Sequence, residues 1–419
     1  MGKASIIYVM GLGLIMGYAL MNINSASTDA VTNFTNYYGR TMAHNIASSG
    51  ANIGCSAVFF DTTSTYSTPF TNVAMLGGRM NVTFAVAGNQ KFVTSIGRLD
   101  IGPRVIIDTV RAELRNESLA KYAWMTNNEA NRHGQITSWA TGDTAWGPAH
   151  TNDKFNILAN ERPVFKKKAT AWQAAVVKSN KALWAGGYQW GIKIPYPTNL
   201  DNFVSAAQTG GRTVVGNDAS VEFGSGGSGK VKLKVPSTGL DTTFSSVNAF
   251  AANGAFAVIG GNLSVKGILV GDLAIGAIKS GGAGGTVYIT GDVRYKTDPR
   301  TNPSSTDYLG IYAVDSITVT YDNSDPSAYY DRKIDASLFS LTGEVNVQNH
   351  NNIPYGPRGQ LTTFGAMMQY YRGGIGVIAG GVLKAGYWKN FRYDARLVNH
   401  PPKFYPATGR YTLYAWKEN

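Results

Sequence analysis

Residues 4–23 read ASIIYVMGLGLIMGYALMNI, without one charged side chain. A run of about twenty apolar residues makes roughly 30 Å of helix, the thickness of a bilayer's hydrocarbon core. The helical pattern does not stop there. The first proline of the chain is Pro69, so no ring blocks a helix before it. Ala26, Ala30, Phe34, Tyr37, Tyr38, Ala43, Ile46, Ala47, Ala51 and Ile53 recur mostly at steps of three and four, with Asp29, Asn33, Arg40 and Asn45 between them. That is the spacing of an amphipathic helix. The expectation is one helix filling residues 1–60, about 80 Å long.

A cleaved secretory signal has similar parts. Its best cleavage point, after Ala26, has Asn24 where a small residue is needed, and the helical pattern runs through it. The segment is therefore read as retained. Lys3 supplies a positive flank of the cytoplasmic kind. Gly13 and Gly17 form a G-x-x-x-G pair that lets helices approach closely.

At 419 residues the chain is long enough for two or three domains. Charged residues make up only 15%, and there are 49 glycines. That balance suits a β-rich extracytoplasmic protein better than a cytosolic enzyme or a disordered chain. The net charge is +12, but Lys and Arg are scattered. The one tight cluster, Lys166, Lys167 and Lys168, reads as a solvated surface. No DNA- or RNA-binding motif accompanies it, so nucleic acid is not expected as a partner. Cys55 is the single cysteine, which excludes an intrachain disulfide and reads as a small packed thiol.

Downstream, residues 61–77 are polar and turn-rich, a link. Residues 81–88, 91–100 and 104–114 read as strands bounded by Gly, Asn and Pro, and 119–128 as a short helix. Residues 61–138 are expected to form a small β-rich head. From Gly210 the texture changes. Leu263, Ile268, Leu273 and Ile278 recur every five residues, and Val265, Val270 and Ile275 lie two residues after the first three. Inward, outward, inward, corner is how a β-helix rung is written. Residues 292–308 and 321–333 read as excursions from the stack. Residues 401–406 (PPKFYP) can be neither helix nor central strand; they read as a strap over the last rung, followed by a terminal strand. The expected fold class is α+β, mostly β: a long N-terminal helix, a small head, and a parallel β-helix or β-solenoid over 139–419 with a C-terminal cap.

The N-terminus, KASIIYVMGLGLIMG followed by STDAVTNFTNYYGRTMAHNIASSGANI, resembles that of type IV pilin-like proteins, in particular large minor pilins with a C-terminal domain of unknown function. TGDTAWGPAHTND near residue 145 and GYWKNFRYDARLVNHPPKFYPATGRYTLYAW at the C-terminus are similar to parts of the same family. The resemblance covers 3–60, 119–165 and 340–419. It implies an inner-membrane-anchored precursor and assembly through the N-terminal helix. Two departures stand out. The position of the pilin cleavage glycine is Ala4, and the fifth residue after it is Val9 where pilins carry glutamate.

Other motifs read as structure. GSGGSGK (224–230) lacks the Ser or Thr that must follow the lysine of a P-loop, and VKLKV after it alternates like a strand. Asp143, His150 and Asp153 lie in turn chemistry. Asp272, Asp292, Asp298, Asp307, Asp315 and Glu344 show no pairing by spacing. The five histidines show no metal-ligand spacing. The N-x-S/T triplets at Asn33, Asn81, Asn116 and Asn262 are sugar acceptors only where a host has the machinery. No enzyme activity, cofactor or metal is expected.

The expected role is that of a structural subunit of an extracellular, cell-surface filament. Its partners are copies of itself, the membrane before assembly, and surface glycans. Ile6, Ile7, Val9, Leu12, Leu14, Ile15, Leu20 and Ile23 are the expected subunit contacts. The alternatives are an exported carbohydrate-active or glycan-binding β-helix protein, a membrane-anchored minor pilin or adhesin, and a surface-layer component.

Overall fold

The structure, a computed structural model, describes residues 2–60, 68–87, 90–177, 181–321 and 330–418. The chain divides into two units, Met1–Glu117 with Gly409–Asn419, and Ser118–Thr408. It is a long N-terminal helix followed almost entirely by strands, the greater part in a parallel β-helix, as the sequence leads one to expect.

The first unit is the helix α1 (Lys3–Phe60) and an antiparallel sheet of β1 (Phe70–Met75), β2 (Gly78–Ala87), β3 (Gln90–Ile101) and β4 (Arg104–Ser118). The C-terminal strand Ala407–Glu418 lies beside β4 at the sheet edge. β3 alternates strictly between buried and half-buried residues along most of its length. Val93 and Leu99 thus point at α1 with Val82, Met80, Ala112 and Leu114. On the helix, Gly39, Ala43, Ile46, Ala47, Gly50, Ala51, Gly54 and Val58 are the buried positions, at steps of three and four. Small side chains there let the two layers approach closely. A Cβ at Gly97 of β3 would stand 2.2 Å from the Ala43 carbonyl oxygen and 2.6 Å from the Ala47 nitrogen.

The second unit is a β-helix whose coils turn through short parallel runs. One coil uses Asp272–Ile278 and then both halves of Val287–Tyr295; the next uses Tyr308–Ala313, Ile317–Val319 and Arg332–Asp335. One face of the stack is continuous. From one end it runs through Arg212–Val215, Ala255–Ile259, Asp272–Ile278, Tyr308–Ala313, Ser337–Val347 and Met367–Tyr371. It then continues with Trp124–Asn128, Ala149–Thr151, Ala169–Ala171 and Tyr188–Gln189. The stack is therefore out of sequence order. The chain enters it in the middle, winds outward to Gln189, and starts again at α2 (Asp201–Gln208) at the other end before winding back. The junction is the pairing Met367↔Trp124, Met368↔Met125, Gln369↔Thr126 and Tyr371↔Asn128.

The two runs fill their interiors differently. The strands at Thr144–Ala145, Val164–Phe165 and Leu183–Trp184 are only two residues long, so large rings do the packing. Trp124, Trp139, Phe155, Phe165 and Trp184 stack in sequence, with Phe165 and Trp184 centroids 4.3 Å apart. The other run, with longer strands, is lined by Val, Ile and Leu.

Two extended segments lie on the outer side of the continuous face. In residues 190–200, Ile194 exchanges hydrogen bonds with Asn152, and the Tyr196 hydroxyl donates to the Ser340 carbonyl. In residues 393–406, the Tyr405 hydroxyl donates to Leu338 O, and Tyr312 donates to Lys403 O. The Leu119 amide donates to Pro406 O at 3.1 Å, so the entry and exit of this unit are hydrogen-bonded to each other.

Several expectations are corrected. Residues 119–128 are a single 3-10 turn, Leu119–Lys121, and the strand Trp124–Asn128; the bulky residues are needed inside the stack. PPKFYP runs along the flank across several coils and does not cover a last rung. The terminal strand belongs to the head sheet, and the β-helix unit begins at 118 in place of 139. The five-residue period breaks at Gly267, whose φ of +109° kinks the strand and shifts the register. Leu263, Val265 and Leu269 are buried while Ile268 and Val270 are exposed. Residues 292–295 continue a strand, so the excursion starts only after Tyr295. Of 321–333, residues 322–329 lie outside the described residues, as do 61–67 of the expected link; Phe70–Met75 of that link is strand.

Candidate assembly helix and polar clusters

Ala, Ile, Leu and Met dominate residues 4–23, and helix formers of this kind offset Gly11, Gly13 and Gly17. No described part of the molecule covers the segment. An added Cβ at any of those three glycines meets nothing within 4 Å. The eight predicted contact residues are all exposed, from 50% at Leu12 to 75% at Leu14. Residues 6, 7, 9, 12, 14, 15, 20 and 23 are spread around the whole circumference at 100° per residue. A helix apolar on all sides belongs in a core or a bilayer, not in water. At about 1.5–3 kcal/mol per fully buried side chain, leaving the eight in water costs on the order of 10 kcal/mol. The exposed apolar surface continues through Val31, Phe34, Tyr37 and Tyr38 to the point where the head begins.

Where the helix meets the head, His44 Nδ1 lies 2.8 Å from Asp108 Oδ2, and Ser48 Oγ is 3.4 Å from His44 Nε2. The order Ser–His–Asp invites comparison with a hydrolase, but Ser48 is in mid-helix. The amides around it are spent on helical hydrogen bonds, so no oxyanion donors face it. Glu418 stands 3.9 Å from the same imidazole nitrogen. The cluster ties α1 to β4 and the terminal strand.

Asp143, His150 and Asp153 do not converge. The Lys389 ammonium donates to Asp143 at 2.7 Å, and both are buried. Burial pushes the Lys389 pKa down against the pull of Asp143. His150 bonds Thr170 and Asn152. Asp153 accepts from the Glu129 amide. The carboxylates of the stack are likewise spent on structure. Asp307 accepts from the Gly271 and Thr297 amides, Asp292 from the Lys333 amide, and Asp298 binds Arg300. Asp315 pairs with the Arg132 side chain, and Glu344 accepts from the Arg132 amide. Asp272 faces His400 and Lys403, and burial holds it above the ordinary carboxylate range. Among the described residues no group of three His, Cys, Asp or Glu converges as a metal site. Lys230 ends a hairpin turn and leads into the strand Val231–Val235, so GSGGSGK does not cradle a phosphate as a P-loop would. Burial pushes the Cys55 thiol up to about 11, which keeps it protonated at neutral pH.

Sequence reasoning missed a buried charge cluster at the junction of the two runs. Arg372 donates to Glu129 and lies over the rings of Trp124 and Trp139; Glu129 also accepts from Thr126 and the Trp139 indole. The available signal was an arginine directly after the strand MMQYY in a chain this poor in charge.

The sequence matches no family model and no curated protein. Among solved structures it is similar to the competence-associated pilin ComZ from Thermus thermophilus, at 11% identity over 91% of this chain and 97% of that one, with a TM-score of 0.38.

Proposed function

We propose that this chain is a pilin-like structural subunit of an extracellular filament, held in the inner membrane by residues 4–23 before assembly. The observation that carries the reading is the helix itself. Its first third is uncharged, apolar all round and exposed, and it runs without a break into a stretch fastened to a small antiparallel sheet by a seam of Gly and Ala. A bilayer satisfies the apolar part first, and helices of other copies satisfy it afterwards. The β-helix is then the displayed portion of each subunit.

The test is to shear appendages from the cell surface, image them, and identify their subunit and its N-terminal residue by mass spectrometry. Filaments built of this chain with residues 5–23 present support the proposal. A soluble product starting near Ser27 overturns it. Retention in the membrane fraction with no filament under any growth condition favours a membrane-anchored monomer that displays the same β-helix.

A further inference from the structure

Phe391 pairs with Ala145, and Ala145 with Phe165, on consecutive coils. The residues that follow each of these, Arg392, Trp146 and Lys166, are therefore neighbours on the outside of the stack, about 4.8 Å apart per coil. All three are exposed. The Arg392 guanidinium lies 5.0 Å and the Lys166 ammonium 5.4 Å from the Trp146 ring centroid. One comes from the coil before and one from the coil after, so the indole stands between two cations. Among the described residues neither cation pairs with a carboxylate. The Arg392 guanidinium makes its hydrogen bond, among the described residues, at Nε, which donates to Asn390 Oδ1 at 3.2 Å, leaving the outer edge of its fork available. On the strand that carries Arg392, Asn390 donates to Gln360 and Thr362 of the neighbouring coil at 3.1 and 3.2 Å, which extends the stripe with two amides and a hydroxyl.

We infer that this stripe is a binding face for an acidic polysaccharide carrying carboxylates. The inference goes beyond the filament reading and does not depend on it. The guanidinium fork and the ammonium offer charge-assisted bonds to carboxylates. The amides and hydroxyl suit sugar hydroxyls, and the indole holds the cations at fixed spacing. A single-stranded nucleic acid needs open aromatic faces on which to stack bases, and both sides of Trp146 are taken by cations. A second copy of this chain, with a net charge of +12, meets the stripe with like charge.

The test uses the full chain in detergent micelles, titrated with polygalacturonate oligomers, the same oligomers fully methyl-esterified, and oligodeoxythymidylate. Binding to the free-acid oligomers alone is expected. Arg392→Gln combined with Lys166→Gln should weaken it by about tenfold or more, the worth of losing charge-assisted contacts. Trp146→Phe should weaken it less than Trp146→Ala. Thermal melting of each variant, unchanged from the parent, shows that the fold is intact, since all three side chains are exposed. Equal affinity for the esterified oligomers, undiminished binding by the double variant, tighter binding of oligodeoxythymidylate, or no binding of any probe each overturns the inference.

Discussion

Glu129 and Arg372, 243 residues apart in the chain, are joined by a buried ion pair at the junction where the coils change run. Lys389 and Asp143 make a second buried pair across the same junction, 246 residues apart. Elsewhere each coil follows its neighbour in sequence, so chain connectivity itself brings the partners together. At this seam two distant stretches must find each other in the correct register. An apolar surface would accept a slip of one coil, whereas a carboxylate left opposite no guanidinium would not.

Arg372→Met should therefore destabilise the β-helix unit by about 3–5 kcal/mol, because Glu129 is left buried and uncompensated. The double variant Arg372→Met with Glu129→Gln should recover much of that loss. Chemical denaturation of the three proteins measures it; equal losses in the single and double variants would show that the charges are not coupled.

Gly97→Ala tests how α1 is fastened. The new methyl would press on the Ala43 carbonyl and the Ala47 amide, so helix and sheet must part. A loss of about 1–3 kcal/mol is expected. Hydrogen exchange should quicken at residues 39–58 and stay unchanged in the coils of the β-helix.

Asp272→Asn tests the flank segment. The folded pKa of Asp272 is raised, mainly by burial, against the opposing pull of Lys403 and His400. A carboxyl with a raised pKa makes folding less favourable once ionised. The asparagine variant should be the more stable at neutral pH. Its advantage should fade as pH falls from the raised value to the ordinary carboxylate range, where both proteins carry a neutral group. Melting temperatures across pH 3–8 decide it; a variant less stable than the parent at neutral pH would mean that Lys403 and His400 outweigh burial.

Leu14→Asp tests the apolar segment. A carboxylate at the middle of residues 4–23 costs about 2.5–3.5 kcal/mol in a bilayer and has no partner in a bundle of copies. Filaments should disappear while the folded head and β-helix persist, as judged by circular dichroism of the purified protein. Normal filaments would remove this segment from the contacts between subunits.

The parts legible from sequence were those set by local pattern. A proline-free stretch with apolar residues at three and four gave α1, and alternation in KFVTSIGRLD gave β3 because that strand has one face on the helix. The texture around Leu263 and Leu273 revealed the coils. It did not reveal their order, since alternation says which way a side chain points and not which coil lies next. The pairing of Met367 with Trp124 depends on the fit of two distant edges. Residues 119–128 were misread because Trp and Met suit either a helix or a buried strand. The two-residue strands from Thr144 to Gln189 are too short to show alternation at all. Their repeat is visible only by aligning Ala145, Phe165 and Trp184 at spacings near twenty. The stripe at Trp146 was hidden for the same reason, because Lys166 is its neighbour only once the coils are stacked.

The hydrogen bond from Leu119 to Pro406 makes the β-helix a cassette inserted in the chain between two neighbouring strands of the head sheet. Its two ends meet, so its length is decoupled from the segment that carries α1. Under the filament proposal, coils gained or lost between those ends would change what each subunit displays while leaving the part that packs against other copies as it is.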